Sequence, residues 1–270
     1  MSTANAAASV QWSSRLGFIL ASAGSAIGLG AIWKFPFWAG ANGGGAFILP
    51  YVVFTLTTGL VLLMAEIAIG RRGRGSAVSA MRRIGGRPFA FLGAFAVLTS
   101  FLILAYYCVV GGWCVAYLAQ SLTVGVVTEN AQTLRNDFRE IVSTGWINIA
   151  WLFSFLSLTA LTVGCGIEKG IERVSKLLMP MLFVMMLAVI IRGLTLDGAM
   201  EGVKYLLSFR PEDLSPGAIL SAMGYTFFSL SLGAGILITY GTYLPKRADI
   251  PAASLWVALL SIQASLLAGL

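Results

Sequence analysis

Apolar residues fill this chain in long runs, which short polar, charged or glycine-rich segments separate. A helix needs about 20 mostly apolar residues to cross the hydrocarbon core of a bilayer. Runs of that kind predict seven transmembrane helices, at about 14–38, 43–70, 89–122, 146–164, 175–194, 217–240 and 251–270. The pattern is typical of an all-α, multi-pass membrane protein, with one transmembrane domain over residues 1–270.

Composition supports this class and excludes a soluble globule. Hydrophobic residues make up 58% of the 270 residues and charged residues 11%, with a mean hydropathy of +0.86. The net charge is +7, and one loop without acidic residues carries Arg71, Arg72, Arg74, Arg82, Arg83 and Arg87. Such a loop indicates the cytoplasmic side of a membrane rather than a nucleic-acid partner. We therefore expect a protein of the cytoplasmic (plasma) membrane, embedded in the lipid bilayer, with its N-terminus in the cytoplasm.

Glycine-rich segments interrupt two of the predicted helices. They are Gly24–Gly30 in the first helix and Ser229–Gly235 in the sixth. Each segment alone also fits a seam of small residues packed against another helix. Because an unpaired backbone group in hydrocarbon costs several kcal/mol, a break at this depth is tolerated only beside protein or water. Interrupted helices in corresponding halves mark the binding sites of secondary transporters, so the pair predicts a binding site.

Lys34 and Glu66 are the only charged residues well inside the predicted helices, since every other Asp, Glu, Lys or Arg falls in a loop or at a helix end. Intramembrane charges are costly and by default mark function. We expect the Glu66 carboxylate to accept hydrogen bonds from backbone N–H groups of a broken helix, in preference to carrying a proton. For Lys34 two interpretations stay open, since the side chain can reach the outer surface or form an outer gate.

The sequence contains no constellation typical of an enzyme. It has no histidine and three cysteines, and Cys108, Cys114 and Cys165 all lie on or at the ends of predicted helices. This pattern excludes a Cys/His metal site and argues against a disulfide framework. With one intramembrane carboxylate and no cluster of nucleophile, base or metal ligands, we expect no catalytic residues and no enzymatic activity.

Several longer motifs resemble a known family. They are Trp12–Gly17 continuing through Gly24 to Pro36, Asn42–Phe47, Pro50-Tyr51, Tyr106-Tyr107 with Trp113, and Phe227–Gly233 with Thr239-Tyr240. At these residues the chain resembles the neurotransmitter:sodium symporter family, whose bacterial members carry amino acids. The resemblance covers essentially the whole chain. It implies a leucine-transporter-type fold, in which five helices form one repeat and the next five form its inverted copy.

The resemblance also bears on how much of the fold this chain holds. It would contain the first repeat and the first two helices of the second repeat, with helices 1 and 6 broken. Family members have eleven or twelve helices, whereas Leu270 ends an apolar run. We therefore expect a C-terminally truncated member or a fragment of a longer gene product.

An amino-acid site follows from the same resemblance. The substrate carboxylate is assigned to Leu29, Gly30 and Tyr107, the substrate side chain to Ile103, Phe228, Ser231 and Ala234, and Ala26 and Ser229 complete the set. The amine would face carbonyls that the two breaks leave free, and the carboxylate would lie at a half-helix N-terminus. Ala234 stands where the family's leucine carrier has a bulky aromatic residue. We therefore expect preference for a larger apolar or aromatic amino acid.

Sodium sites are implied as well, because hard cations take several oxygen ligands. A first site would use Ala26, Ser229 and Ser261, and a second site would use the carbonyls of Gly24 and Ile27. Ala31 and Ser261 replace two asparagine ligands of the first site. We therefore expect sodium coupling through the second site.

Chloride dependence stays open at the sequence level. Tyr51, Ser229 and Ser265 stand where chloride-dependent relatives have a tyrosine and serines, but Tyr225 replaces their glutamine.

The gates of the family are only partly preserved. Lys34 replaces an arginine at the outer gate and cannot make a bidentate pair. Trp12 and Tyr243 are retained at the inner gate.

We expect sodium-coupled symport of an amino acid by alternating access. Two alternatives stay open. One is a truncated, non-transporting relative that serves as a membrane scaffold or receptor, and the other is a channel lined by Lys34 and Glu66. The sequence leaves the oligomeric state open.

Overall fold

The computed structural model describes residues 11–28, 30–123, 131–143 and 145–270. The chain forms two compact units, one of residues 1–97 and 167–270 and the other of residues 98–166. Every regular element in the described ranges is helical. A single transmembrane domain over residues 1–270 stays a prediction.

Thirteen α-helices occur in these ranges. The first seven are α1 Arg15–Ala26, α2 Phe35–Ala41, α3 Gly45–Phe54, α4 Leu60–Gly73, α5 Ala77–Gly85, α6 Arg87–Thr123 and α7 Ala131–Ser143. The others are α8 Gly145–Gly164, α9 Arg173–Leu194, α10 Ala199–Leu207, α11 Pro216–Ser229, α12 Ile236–Thr242 and α13 Ile250–Gly269. Short π-helical turns occupy Gly30–Lys34, Thr55–Gly59 and Ile167–Glu172, and a 3-10 turn occupies Pro211–Asp213.

Five continuous helical stretches in the described ranges are long and apolar enough to cross a membrane. They are Gly45–Gly73, Arg87–Thr123, Gly145–Gly164, Ile167–Leu194 and Ile250–Gly269. Arg15–Ala26 and Gly30–Ala41 make a sixth crossing when taken together, with a bend of 47° between them. The predicted helix at 217–240 is divided into α11 and α12, whose 14 and 7 residues are each too few to cross alone. The all-α class with broken first and sixth helices is confirmed.

The fifth crossing differs from the sequence prediction at its start. The prediction began this helix at residue 175, because the preceding segment carries charged residues typical of a loop. In the structure the π-helical turn Ile167–Glu172 continues into α9 and lengthens the crossing toward its N-terminal end. Glu172 is fully buried in this turn, with 1% of its surface exposed. The prediction that only Lys34 and Glu66 are charged residues inside the helices is therefore wrong, because Glu172 is a third.

Three short helices, α5, α7 and α10, lie where the sequence predicted loops. They are 9, 13 and 9 residues long, too short to cross a membrane. In α5, Ala77 and Ala80 are buried while Arg82 and Arg83 are exposed. A period near 3.6 in this loop is the signal that could have predicted the helix.

An aromatic cluster joins the second half of the first broken helix to α3 and α11. Phe35, Phe47, Tyr51 and Tyr225 are all buried, and their ring centroids lie 5.1 to 6.4 Å apart. Rings at such distances pack favourably beyond the area they bury. The cluster fixes α2 relative to the two helices that flank the candidate site.

Helices α4 and α12 approach each other through backbone atoms. A Cβ atom on Gly70 would overlap the carbonyl group of Ile238, and one on Gly241 would overlap that of Ile67. Such small residues allow two membrane helices to come close enough for extensive packing. The two glycines therefore allow the second half of the sixth helix to pack tightly against α4.

We expect Gly241→Ala to destabilise the protein, because the added methyl group pushes α12 away from α4. Overpacking of this kind costs about 1–3 kcal/mol, which would lower the melting temperature of the full-length protein in detergent. Gly202→Ala is the matched control, since a Cβ atom at this exposed helical position meets nothing within 4 Å. Equal melting temperatures for the two variants would contradict the close packing.

Candidate functional site

The first broken helix stops near its middle and starts again a few residues later. The α-helix ends at Ala26, where the Ile27 N–H closes the last turn on the Ala23 carbonyl at 2.6 Å. The second half begins with the π-helical turn Gly30–Lys34. Leu29, one of the three residues assigned to the substrate carboxylate, lies outside the described residues.

The break leaves carbonyl oxygens that have no donor from the described part of the chain. They belong to Gly24, Ala26 and Ile27, none of which accepts a hydrogen bond from a described residue. The last four carbonyls of any α-helix lack partners within that helix. Neutral, hard oxygen atoms of this kind suit a hard cation such as sodium. The donor set therefore fits the sodium ligands that the sequence resemblance implies.

The sixth helix breaks through a run of left-handed residues. Its first half ends at Ser229, and Ser231, Gly233 and Gly235 follow with φ of +53°, +80° and +72°. A right-handed helix cannot continue through such values, which glycine adopts at little cost and other residues adopt rarely. The second half begins only at Ile236.

The two breaks lie against each other. The Ser231 hydroxyl donates to the Ser25 carbonyl at 2.8 Å, across 206 residues of sequence. Nearby, the Phe228 ring fills the space that a Cβ atom on Gly30 would need. The sequence reasoning missed the Ser25 contact, since nothing in the local pattern of either segment signals a bond between them.

Glu66 on α4 supports the second break. Its Oε1 accepts a hydrogen bond from the Gly233 N–H at 2.7 Å. Its Oε2 is buried and has no hydrogen-bond partner among the described residues. The carboxylate therefore satisfies a backbone donor that the interrupted helix leaves unpaired.

A chain of buried hydroxyls runs beside the first break. The hydroxyls of Tyr51 and Tyr225 each lie 3.1 Å from Ser265 Oγ, and Tyr225 also donates to the Gly30 carbonyl at 3.4 Å. Hydroxyls that share a chloride ion between them would stand farther apart than a direct hydrogen bond allows. The three side chains are therefore spaced as direct hydrogen-bond partners. Tyr225 links this group of hydroxyls to the backbone of the first break, through its bonds to Ser265 and the Gly30 carbonyl.

The residues predicted for a first sodium site have few oxygen atoms. The hydroxyls of Ser229 and Ser261 are within 2.8 Å of each other, while Ala31 is fully buried and carries no side-chain oxygen. Together with the Ala26 carbonyl these residues supply three protein oxygen atoms, fewer than a hard cation usually takes.

The residues assigned to the gates make specific contacts. Lys34 Nζ lies 4.3 Å from the centroid of the Phe228 ring, an attractive cation–π geometry. Trp12 is buried, and its ring N–H donates to the Tyr240 carbonyl at 3.0 Å while its backbone N–H donates to the Tyr243 carbonyl at 3.3 Å. The segment just before the first helix is thus attached to the end of the sixth.

The remaining predicted residues divide between the two units. Ala234 is buried in the first unit, with 5% of its surface exposed. Ile103 and Tyr107 lie on α6 in the second unit. There the Tyr107 ring packs edge-on against Tyr106, with 5.9 Å between centroids.

Comparison with known proteins identifies similar sequences along nearly the whole chain. The sequence model of the Sodium:neurotransmitter symporter family matches residues 9–138 and 128–270. An uncharacterized sodium-dependent transporter of Bacillus subtilis, YhdH, is 44% identical over 262 residues, which are 97% of this chain and 58% of that protein. The mouse sodium-dependent neutral amino acid transporter B(0)AT3 is 34% identical over 96% of this chain and 46% of its own length.

A solved structure is similar in fold as well as in sequence. The crystal structure of MhsT in complex with L-phenylalanine superimposes with a TM-score of 0.88 at 41% identity, covering 96% of this chain and 59% of that one. The chain thus spans about half to three fifths of the length of these relatives.

We expect Glu66→Leu to destabilise the protein, because it leaves the Gly233 N–H without an acceptor. This hydrogen bond is exposed in the structure, so its loss should cost about 0.5–1.5 kcal/mol, the net contribution of a typical hydrogen bond. Glu66→Gln is the matched variant, since its amide oxygen can still accept this hydrogen bond. Melting temperatures of the full-length protein in detergent would compare the stability of the two variants. An equal decrease in melting temperature for both would contradict the supporting role of the carboxylate.

Proposed function

Because this chain belongs to the sodium:neurotransmitter symporter family, we propose that its full-length protein imports an amino acid together with sodium by alternating access. The observation that carries the proposal is the contact between the two breaks, Ser231 Oγ to the Ser25 carbonyl. It brings the interrupted ends of two helices together, and such ends are where secondary transporters bind substrate and coupling ion.

Sodium would bind mainly at the second site. Its ligands from this chain would be the carbonyls of Gly24 and Ile27, which accept no hydrogen bond from a described residue. The first site would be weaker, because Ala31 supplies no oxygen and the Ser229 and Ser261 hydroxyls bond to each other. Sodium binding can drive transport only to the extent that the ion prefers one conformation over the other.

Chloride would have no role in transport by this protein. The hydroxyls of Tyr51, Tyr225 and Ser265 already satisfy one another in a buried chain that ends on the Gly30 carbonyl. Opening this chain for an anion would break direct hydrogen bonds in a buried site, where unpaired polar groups are costly.

The substrate would be a large apolar or aromatic amino acid. Its carboxylate would meet the backbone at Leu29 and Gly30, and its amine would face the free carbonyls between the breaks. Ala234 contributes only a methyl group to the wall and so leaves room for a large side chain. Two relatives agree with this class, since B(0)AT3 is named a neutral amino acid transporter and MhsT was crystallised with L-phenylalanine.

The protein would lie in the cytoplasmic membrane with its N-terminus inside the cell. The arginine-rich segment at the ends of α4 and α5 supports this orientation. Within it, Arg71 donates to the Ala248 carbonyl at 2.7 Å, and Arg83 donates to the carbonyls of Gly73 and Arg74, both at 2.7 Å. These bonds hold the cytoplasmic ends of the helices together.

Transport is tested with the full-length protein in liposomes that carry an inward sodium gradient. We expect labelled phenylalanine to accumulate above the outside concentration, and a sodium ionophore to abolish the accumulation. Replacing chloride with gluconate should leave the rate unchanged. Equilibration without accumulation would identify a pore, no uptake would identify a scaffold, and a loss of rate in gluconate would contradict the chloride inference alone.

Substrate size is tested at Ala234. Phenylalanine and leucine should compete for sodium-dependent binding better than alanine or glycine. Ala234→Phe should reduce the affinity for phenylalanine at least about tenfold relative to that for leucine, a difference of about 1.4 kcal/mol, because the new ring occupies part of the cavity. Ala234→Gly, the control, should bind these amino acids in the same order of affinity as the wild type. Stronger binding of glycine than of phenylalanine by the wild type would contradict the proposal.

A further inference from the structure

Glu172 is a buried carboxylate with four hydrogen-bond donors around it, and neither the family resemblance nor the proposed site uses it. It ends the π-helical turn before α9, and 1% of its surface is exposed. It accepts from the Ser13 N–H at 2.8 Å, from the Ser13 hydroxyl, from the Ser14 hydroxyl at 2.8 Å and from Lys176 Nζ at 2.6 Å. Such charge-assisted bonds are roughly twice as strong as neutral ones.

Three of these donors belong to the cytoplasmic start of the first helix. Ser14 is also the N-cap of α1, because its hydroxyl accepts from the Gly17 N–H at 3.0 Å. Gly17 has no Cβ, and one placed there would overlap the Glu172 carboxylate. The sequence therefore supplies both the donors and the space for this contact at the N-terminal end of α1.

The fourth donor behaves differently, since Lys176 lies on α9 four residues after Glu172. If the start of α1 moved away, Glu172 would lose Ser13 and Ser14 but keep Lys176. The lysine therefore lowers the cost of release, because without it the carboxylate would be left buried and unpaired. Glu172 thus binds the start of α1, and Lys176 lowers the cost of breaking that contact.

The same segment borders a cavity of about 420 Å³. Trp12, Ser13 and Ser14 line it together with Phe18 and Leu244. The start of α1 is therefore held by the bonds to Glu172 and by the Trp12 bonds to Tyr240 and Tyr243, beside a cavity.

We propose that Glu172 is a positioning residue that holds the cytoplasmic end of α1 against α9 and sets the balance between the closed and open states of the inner side. This rests on the proposed function, in which the broken helices rock during alternating access. Glu172 favours the closed state through Ser13 and Ser14. Lys176 favours release, because it remains the partner of the carboxylate after Ser13 and Ser14 have moved away.

The experiment measures the separation of α1 from α9 in the full-length protein. Spin labels are attached at Leu16→Cys and Leu177→Cys, which are exposed positions on these helices, in a background where Cys108, Cys114 and Cys165 are replaced by serine. Double electron–electron resonance in liposomes with sodium then gives the fraction of molecules with the longer distance.

Two variants should move this fraction in opposite directions. Glu172→Gln should raise it at least threefold, because the amide binds the serines less strongly than the carboxylate does. Lys176→Met should lower it at least threefold, because release then leaves an unpaired buried charge. The exposed Glu168 on the same turn provides the control, and Glu168→Gln should leave the fraction unchanged.

A purely structural role would shift both variants in the same direction, and that result, or no shift in Glu172→Gln, would overturn the proposal. Ser13→Ala gives the same test if Glu172→Gln does not fold, since it removes one bond and should raise the fraction to a smaller extent. Uptake by the wild-type protein in the same liposomes distinguishes a failure of the transport proposal from a failure of the proposed role of Glu172. Failure of sodium-driven accumulation with opposite shifts of the variants would count against the transport proposal and not against the role of Glu172.

Discussion

A backbone that leaves its helix inside a membrane must find partners for the N–H and C=O groups it exposes, and this constraint shapes the first unit. The first and sixth helices both break, so polar groups from elsewhere converge on them. Glu66 accepts from Gly233, Ser231 donates to the Ser25 carbonyl, and Tyr225 donates to the Gly30 carbonyl. The carbonyls that accept no hydrogen bond from a described residue are the candidate ligands for a cation and an amine.

The side chains that serve the breaks need a fixed frame, which close helix packing provides. Gly70 and Gly241 bring α4 and α12 into backbone contact, so that Glu66 on α4 is held opposite the second break. On the other side, the aromatic cluster around Phe35 positions the second half of the first helix. Because close-packed interiors transmit strain, a displacement of one half-helix would also displace the elements packed against it.

Two carboxylates, the half-buried Glu66 and the buried Glu172, each accept hydrogen bonds from a helix that lacks partners. Glu66 satisfies backbone at the middle of the sixth helix, and Glu172 satisfies the N-terminal end of the first. They differ in their partners, since Glu172 has the nearby cation Lys176 and Glu66 has no ion-pair partner among the described residues. A contact that supplies its own counter-ion can be broken and remade at lower cost, which suits a helix end that moves.

The sequence by itself determined the class, the family resemblance and the location of both breaks, because hydrophobic run length and glycine placement are local properties of the chain. It also indicated Glu66, since one carboxylate in an apolar run is visible without any structure. Only the tertiary structure decided that Glu172 is buried, that α9 is preceded by a helical turn, and that Tyr225 bonds Ser265 and Gly30. The burial of Glu172 and the bonds of Tyr225 depend on groups far apart in sequence, such as Ser13 and Glu172, and no periodicity within either segment encodes which distant partner will satisfy a polar group.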